Sequence, residues 1–128
     1  MGEWKNRRME KSFRDLEIWQ LAHKLAAEVY GVCRNFPERE NFGLTSQIQR
    51  SAVSVPANIA ESCGRYRQGD KLQLLIIARG SLYETRSHLS IALDLKYITE
   101  REFQILDGKY EILLKQLNAF IKYKRNTT

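Results

Sequence analysis

The stretch Gln47–Gly64, reading QIQRSAVSVPANIAESCG, constrains the fold more than any other part of this chain. Ile48, Ala52, Val55, Ile59 and Cys63 recur at three- and four-residue spacing, which puts one apolar stripe on a helix. The residues between them, Ser51, Ser54, Ala57, Ala60 and Ser62, carry no reactive chemistry and let a neighbouring helix come close. Pro56 falls inside the pattern, where it removes a backbone hydrogen bond and collides with the carbonyl four residues back. A kink is expected there unless packed neighbours hold the segment straight. The stretch reads as the inner helix of a bundle.

At 128 residues the chain is one domain with room for a sizeable core. Its 43% apolar and 28% charged residues suit a soluble globular chain. The longest wholly apolar run, Leu74–Ala78, falls far short of the roughly 20 residues that cross a bilayer. The charged start, MGEWKNRRMEK, is no secretory signal. A cytoplasmic protein with no membrane partner is expected, with residues 1–11 as a polar tail and 12–125 as the bundle domain. Two cysteines are too few for a disulfide framework. Cys33 and Cys63, closing helices one and two, are expected near opposite ends of an antiparallel bundle. A rise of about 1.5 Å per residue puts them beyond disulfide reach. Both read as small apolar fillers.

In chain order, Ser12 is a plausible cap with Asp15 three residues on, and helix one is expected to run to about Asn35. Its apolar residues, from Ile18, Trp19 and Leu21 to Tyr30 and Cys33, form an arc wider than one core contact needs. FPERENFG at 36–43 is a turn, and Thr45 or Ser46 caps helix two, the latter partnered by Gln49. GRYRQGD at 64–70 is the second connection, with Asp70 as the expected cap of a third helix reaching about Tyr97. That helix has two apolar arcs. One holds Leu72, Leu75, Leu82, Leu89 and Leu93 with Arg79 and Arg86 among them; the other holds Leu74, Ile77, Ala78, Ser81, Ala92 and Leu95. The small-residue arc is expected against helix two, and the leucine–arginine arc against another helix or another subunit. Thr99 and Glu102 form a capping box that opens helix four. Phe103, Leu106, Tyr110, Leu113, Leu117 and Phe120 make its seam. Ile105, Ile112, Ala119 and Tyr123 form a row on the opposite side, which suggests a second packing surface at a subunit interface.

The net charge of +6 sits at the termini. Residues 1–14 hold Lys5, Arg7, Arg8, Lys11 and Arg14 against Glu3 and Glu10, a net of +3. Residues 121–128 add Lys122, Lys124 and Arg125 with no acid, again +3, and the remainder balances. In an up-down-up-down bundle the start of helix one, the finish of helix four and the second connection share one end. The connection contributes Arg65, Tyr66, Arg67 and Lys71 against Asp70; the other end, with Glu38, Arg39, Glu40, Glu100, Arg101 and Glu102, is mildly acidic. Clustered cations attract phosphate by releasing counterions. Tyr66 and Trp4 could stack on unpaired bases. Charge alone gives equal weight to tails that only keep the protein soluble.

Catalytic chemistry is sparse. The chain has no glycine-rich phosphate loop, no His/Cys cluster at metal spacing and no nucleophile motif, so neither cofactor nor enzymatic activity is expected. Glu84 and His88 share a face, and Glu61 could join them around a metal. Carboxylate-bridged bundles need paired Glu-x-x-His motifs and four carboxylates, and this chain has two histidines in all, so no metal is expected. Arg50 and Glu61 are about 16 Å apart along helix two and cannot pair with each other. Glu84 is a candidate partner for Arg50. Arg50, Asn58, Glu61 and Glu84 read as a polar network that fixes helix register, since a buried charge without a partner is costly.

RSAVSVPANIAES at 50–62, GRYRQGD at 64–70, IARGSLYE at 77–84 and FRDLEIWQLAHKLAAEVYGVCRNFP at 13–37 together resemble the four-helix-bundle family encoded in intervening sequences of bacterial 23S rRNA genes. The resemblance implies an all-α, antiparallel up-down-up-down bundle that assembles as a ring of five. It also implies kinship with a branch that works beside the reverse transcriptase of diversity-generating retroelements and is thought to bind nucleic acid. For most members no activity is established. A ring whose subunits point one way would gather the basic ends into a collar, and the resemblance tips the balance toward RNA or DNA as partner. Arg7, Arg8, Arg65, Arg67, Lys71, Lys122, Lys124 and Arg125 would then contact phosphate, with Tyr66 stacking. The alternative is a scaffold or adaptor that docks a protein, such as a polymerase, and barely touches nucleic acid.

Overall fold

The computed structural model of the protein describes residues 12–127. Four helices fill them: α1 (Glu17–Cys33), α2 (Leu44–Gly64), α3 (Gln68–Asp94) and α4 (Glu100–Asn126), with 3-10 turns at Phe13–Asp15 and Glu38–Glu40. There is no strand among the described residues. Each helix packs against its two neighbours, α2 and α3 most extensively, and the backbones of the diagonal pairs stay apart. Cross-helix contacts run in opposite directions along the chain. Ser54 meets Ser81 and Ser51 meets Thr85 between α2 and α3; Arg79 meets Asn118 and Arg86 meets Asp107 between α3 and α4. The fold is an antiparallel four-helix bundle.

The core follows alternating three- and four-residue steps. Helix α3 buries Leu75, Ala78, Leu82, Thr85, Leu89 and Ala92, and α4 buries Leu106, Tyr110, Leu113, Leu117 and Ile121 along with Leu114. The seam of α3 therefore runs between its two apolar arcs, taking leucines from one and alanines from the other. Ile77 and Leu95 are left exposed. Arg79 and Arg86 both turn to α4 of the same subunit, so the leucine–arginine arc does face another helix. Helix α2 buries Ile48, Ser51, Ala52, Val55, Ile59 and Ser62 and runs unbroken across a buried Pro56. Cys63 is exposed, which corrects its placement on the stripe. After Ile59 the three-residue step to Ser62 keeps the seam, whereas a four-residue step to Cys63 rotates off it. Cys33 is buried, and its burial, partly offset by a Gln49 hydrogen bond, pushes the thiol pKa up to about 11.

Ser51 and Thr85, both buried, lie 2.8 Å apart through their hydroxyls. Ser51 Oγ also reaches the Ile48 carbonyl at 3.1 Å and Thr85 Oγ1 the Ser81 carbonyl at 2.8 Å. Two hydroxyl protons serve only two of these three contacts at a time: when Thr85 donates to Ser51 it releases the Ser81 carbonyl, and when Ser51 donates to Thr85 it releases the Ile48 carbonyl. Small polar side chains bring α2 and α3 together at low cost in buried polarity.

Helix starts depart from the sequence reading in three places. The Ser12–Asp15 capping box is formed, but it closes the 3-10 turn; Leu16 is extended and α1 begins at Glu17. Helix α2 begins at Leu44, before Thr45 and Ser46, because Glu40 acts as its cap from the preceding turn. The Leu44 N–H donates to Glu40 Oε1 at 3.1 Å, and the Tyr97 hydroxyl donates to Glu40 Oε2 at 2.8 Å. The Leu44 N–H, then Tyr97, holds the Glu40 carboxyl below its ordinary pKa. Helix α3 begins at Gln68 behind Arg67, leaving Asp70 inside the first turn. It ends at Asp94, three residues before Tyr97, in a Schellman closure. The Tyr97 N–H donates to Ala92 O and the Lys96 N–H to Leu93 O, each at 2.9 Å, with Lys96 at φ 63°. The Thr99–Glu102 capping box opens α4 as expected from sequence.

Candidate nucleic-acid interface

The antiparallel register brings the start of α1, the α2–α3 turn and the end of α4 to one end of the bundle. Three contacts tie α2, α3 and the end of α4 there. Gln68 Nε2 donates to the carbonyls of Lys124 and Thr127, the latter at 3.1 Å. Lys71 Nζ lies 3.5 Å from the Ser62 carbonyl. Between them opens a cavity of about 200 Å³. Its lining combines apolar Phe13, Leu16, Leu75 and Phe120 with the polar Ser12, Ser62, Lys71 and Lys124 and with Cys63. Gln68 is a residue that sequence reasoning missed; a polar residue in a helix's first turn gives no one-dimensional sign that it clamps a distant carboxyl terminus.

The expected phosphate-contacting residues fall at this end, with different degrees of freedom. Arg65 pairs with Glu61 one turn back, which raises its pKa, and both are half exposed. Tyr66 is 99% exposed. Arg67, Lys122 and Arg125 are exposed and have no carboxylate partner among the described residues. Lys71 is half-buried, and Lys124 lies with its ammonium 5.5 Å from the Phe120 ring centroid. Arg7, Arg8 and Trp4, with the rest of the tail at 1–11, lie outside the described residues. At the opposite end Glu38, Arg39 and Glu40 sit on the α1–α2 connection and Glu100, Arg101 and Glu102 in the first turn of α4. The two connections there are joined by the Tyr97–Glu40 hydrogen bond and the Phe36–Tyr97 ring contact at 5.3 Å.

The residues read as a polar network do not form one. Arg50 and Glu84 line a common recess with Ser46 and Gln47 but make no ion pair with each other. Glu84 lies 3.5 Å from His88. Glu61 is engaged by Arg65 at the basic end, so Glu61, Glu84 and His88 are not brought together. Among the described residues no group of three His, Cys, Asp or Glu side chains is placed to hold a metal. Asn58 turns back on its own helix, donating to the Ser54 carbonyl at 2.8 Å and to Ser54 Oγ at 2.9 Å, and Ser54 carries the chain across to Ser81. The charge pairs that cross helices lie elsewhere, at Arg86 with Asp107 and Glu111 between α3 and α4 and at Lys109 with Glu28 between α4 and α1. Ile105, Ile112, Ala119 and Tyr123 are all exposed, in a row along the outside of α4.

A family model for the 23S rRNA-intervening sequence protein matches residues 14–119. The chain belongs to that family. A crystal structure of a protein of unknown function from the S23 ribosomal protein family of Bacteroides thetaiotaomicron VPI-5482 is similar, with a TM-score of 0.74 and 26% identity. The alignment covers 82% of this chain and 98% of that one. None of the curated proteins matches the sequence. In this 23S rRNA-intervening sequence protein the matched span includes Arg65, Tyr66, Arg67 and Lys71 and stops before Lys122, Lys124 and Arg125. The α2–α3 turn is thus part of the family core, and the cations at the end of α4 lie beyond it. No helix among the described residues is long and apolar enough to cross a membrane.

Proposed function

We propose that this 23S rRNA-intervening sequence protein is a non-enzymatic, cytoplasmic homo-oligomer, a pentamer, whose basic end binds RNA or DNA without strong sequence preference. The observation that carries this reading is the convergence of Arg65, Arg67, Lys71, Lys122, Lys124 and Arg125 on one end of the bundle, with Tyr66 fully exposed among them. Arg67, Lys122 and Arg125 are the freest of them; Arg65 is paired with Glu61, while Lys71 and Lys124 rest on a carbonyl and a ring and can be drawn away by a phosphate. In a ring with its subunits pointing one way, these groups repeat around a collar, and weak contacts per subunit add through multivalency. Filter binding of labelled oligonucleotides across a salt series tests it. Binding should fall with a slope of about 0.7 to 0.9 per phosphate neutralised, so roughly 2 to 3 per subunit for three free cations. A flat, negligible signal at low salt removes the reading.

A second reading, a scaffold that docks a protein such as a polymerase, is favoured by the outer row of α4, where Ile105 and Ile112 are 47% and 53% exposed. In the oligomeric reading the same row is covered by a second copy. Light scattering separates the two: a monomer at working concentration frees the row for another protein and refutes the ring.

A further inference from the structure

On the basis of the nucleic-acid reading of the basic end, we infer that the cavity there receives one unpaired nucleobase, so that the ligand is a single strand. Its volume of about 200 Å³ lies below the ~300–1,000 Å³ of sites for drug-sized molecules. That is room for one planar ring system. The apolar part of the lining includes two phenyl rings, the kind of side chain on which any base can stack. Arg14 now lies 4.5 Å over the Phe13 ring and Lys124 5.5 Å over that of Phe120, so a base on either face displaces a flexible cation. Lys71 and Lys124 add positive charge to the lining, and among the described residues neither is held by a carboxylate. Lys71 Nζ rests 3.5 Å from a carbonyl and Lys124 Nζ over a ring, each on a flexible stem that can turn to a phosphate. A small recess that combines apolar side chains with two ammonium groups is complementary to a nucleotide, with the base against the apolar part and the phosphate at the lysines. A duplex keeps its bases in the stack and gives one up only at the cost of unpairing, whereas a single strand offers them freely. Tyr66, exposed on the turn between Cys63 and Lys71, supplies a second stacking surface for a neighbouring base.

Cys63 lines the cavity and serves as the reporter. Its alkylation rate in the full-length protein is followed at low salt with saturating oligothymidine, with a hairpin duplex of equal phosphate number, and with inorganic phosphate. Oligothymidine is expected to slow alkylation about tenfold or more, since only the unoccupied fraction reacts; the duplex and phosphate leave it unchanged. In parallel, Cys63→Trp fills the cavity from an exposed position. It is expected to weaken oligothymidine binding by about 5- to 150-fold, the loss of one base stack, with duplex affinity and salt slope retained. Equal protection by duplex, or a folded Cys63→Trp variant that binds oligothymidine as tightly as wild type, overturns the base-receptor assignment and leaves phosphate binding by the basic end standing. Protection by decyl phosphate but not by oligothymidine assigns the cavity to a small amphiphile and also overturns it. Wild-type protein that binds neither oligonucleotide removes both readings together.

Discussion

Replacing Asp107 by Asn isolates the one charge network that ties α3 to α4. Arg86 reaches Asp107 through two parallel bonds, Nε to Oδ1 at 2.8 Å and Nη2 to Oδ2 at 3.1 Å, and Glu111 through Nη1 at 2.8 Å. Asp107, first among these partners, raises the Arg86 pKa, so the guanidinium stays charged throughout the working range. The side chains of Arg86 and Asp107 are 21% and 24% exposed, and that of Glu111 is 44% exposed. A hydrogen bond to a charged group contributes about 1.5–3 kcal/mol when buried, and an exposed ion pair about 0–1. Asn keeps an acceptor for Nε but turns an amide against Nη2, which loses one charge-assisted bond and the net charge. The expected cost is about 2 kcal/mol, reduced from the buried value for partial exposure. Glu111→Gln should cost about 0.5 kcal/mol, because its partner is more solvated and keeps the Asp107 fork. Arg86→Met leaves two carboxylates four residues apart facing each other and should be the worst of the three single changes. Adding Asp107→Leu to Arg86→Met should recover part of the loss, since an apolar replacement of a whole pair is close to neutral. Urea midpoints followed by circular dichroism, at one fixed protein concentration, measure all four variants. Equal costs for Asp107→Asn and Glu111→Gln, or a double variant worse than Arg86→Met alone, would refute the argument.

Lys96→Gly should stabilise the protein by about 0.5–1 kcal/mol in the same assay. It relieves roughly 1–2 kcal/mol of left-handed backbone strain against a smaller gain in unfolded-chain freedom; a loss of stability would contradict the Schellman reading. One thiol per chain, Cys63, should react with a soluble disulfide reagent in the native state, with Cys33 reacting only on unfolding. Because the Cys33 thiol is raised to about 11, its contribution to stability is complete below the unfolded value near 8.5 and is lost as pH rises toward 11. A Cys33→Ala variant should therefore show less alkaline destabilisation than wild type. Glu40 is shifted the other way, so its contribution is present above about pH 4.3 and lost as pH falls through its depressed value. The stability difference between wild type and Glu40→Gln should narrow in acid; parallel curves would exclude Glu40 as the cap of α2.

The bundle was legible because each helix repeats its apolar residues at bundle spacing, and local periodicity is what a sequence displays. The same rule failed by one residue at Cys63, where a seam three steps after Ile59 was read as four. Helix starts were harder. Thr99–Glu102 is a local box and reads directly, but the cap of α2 comes from Glu40 across a turn, and its second partner, Tyr97, is 57 residues away. The partner of Arg86 could not be read either. Glu84 and Arg50 looked complementary on paper, but the helix that presents Asp107 and Glu111 to Arg86 is chosen by packing. That the Arg65–Lys71 turn and Lys122–Arg125 share one end depends only on connectivity, not on side-chain geometry; the cations of residues 1–11 lie outside the described residues. The cavity was illegible for the opposite reason: Phe13, Cys63, Lys71 and Phe120 come from every element that reaches that end.

This division makes the proposed site testable without disturbing the fold. Tyr66, Arg67, Lys122 and Arg125 are exposed and stand outside the buried cluster that stabilises the bundle. Surface changes of that kind alter stability by no more than about 0.5 kcal/mol. Arg67→Ala, Lys122→Ala and Arg125→Ala should thus leave the urea midpoint in place, each reducing the salt slope by roughly one. Cavity residues behave differently: Leu75 is fully buried, and Leu75→Ala would cost about 2–5 kcal/mol whatever the ligand. Binding lost on truncating Leu75 therefore says little about recognition. Binding lost at Arg67 with an unchanged midpoint can come only from the interface.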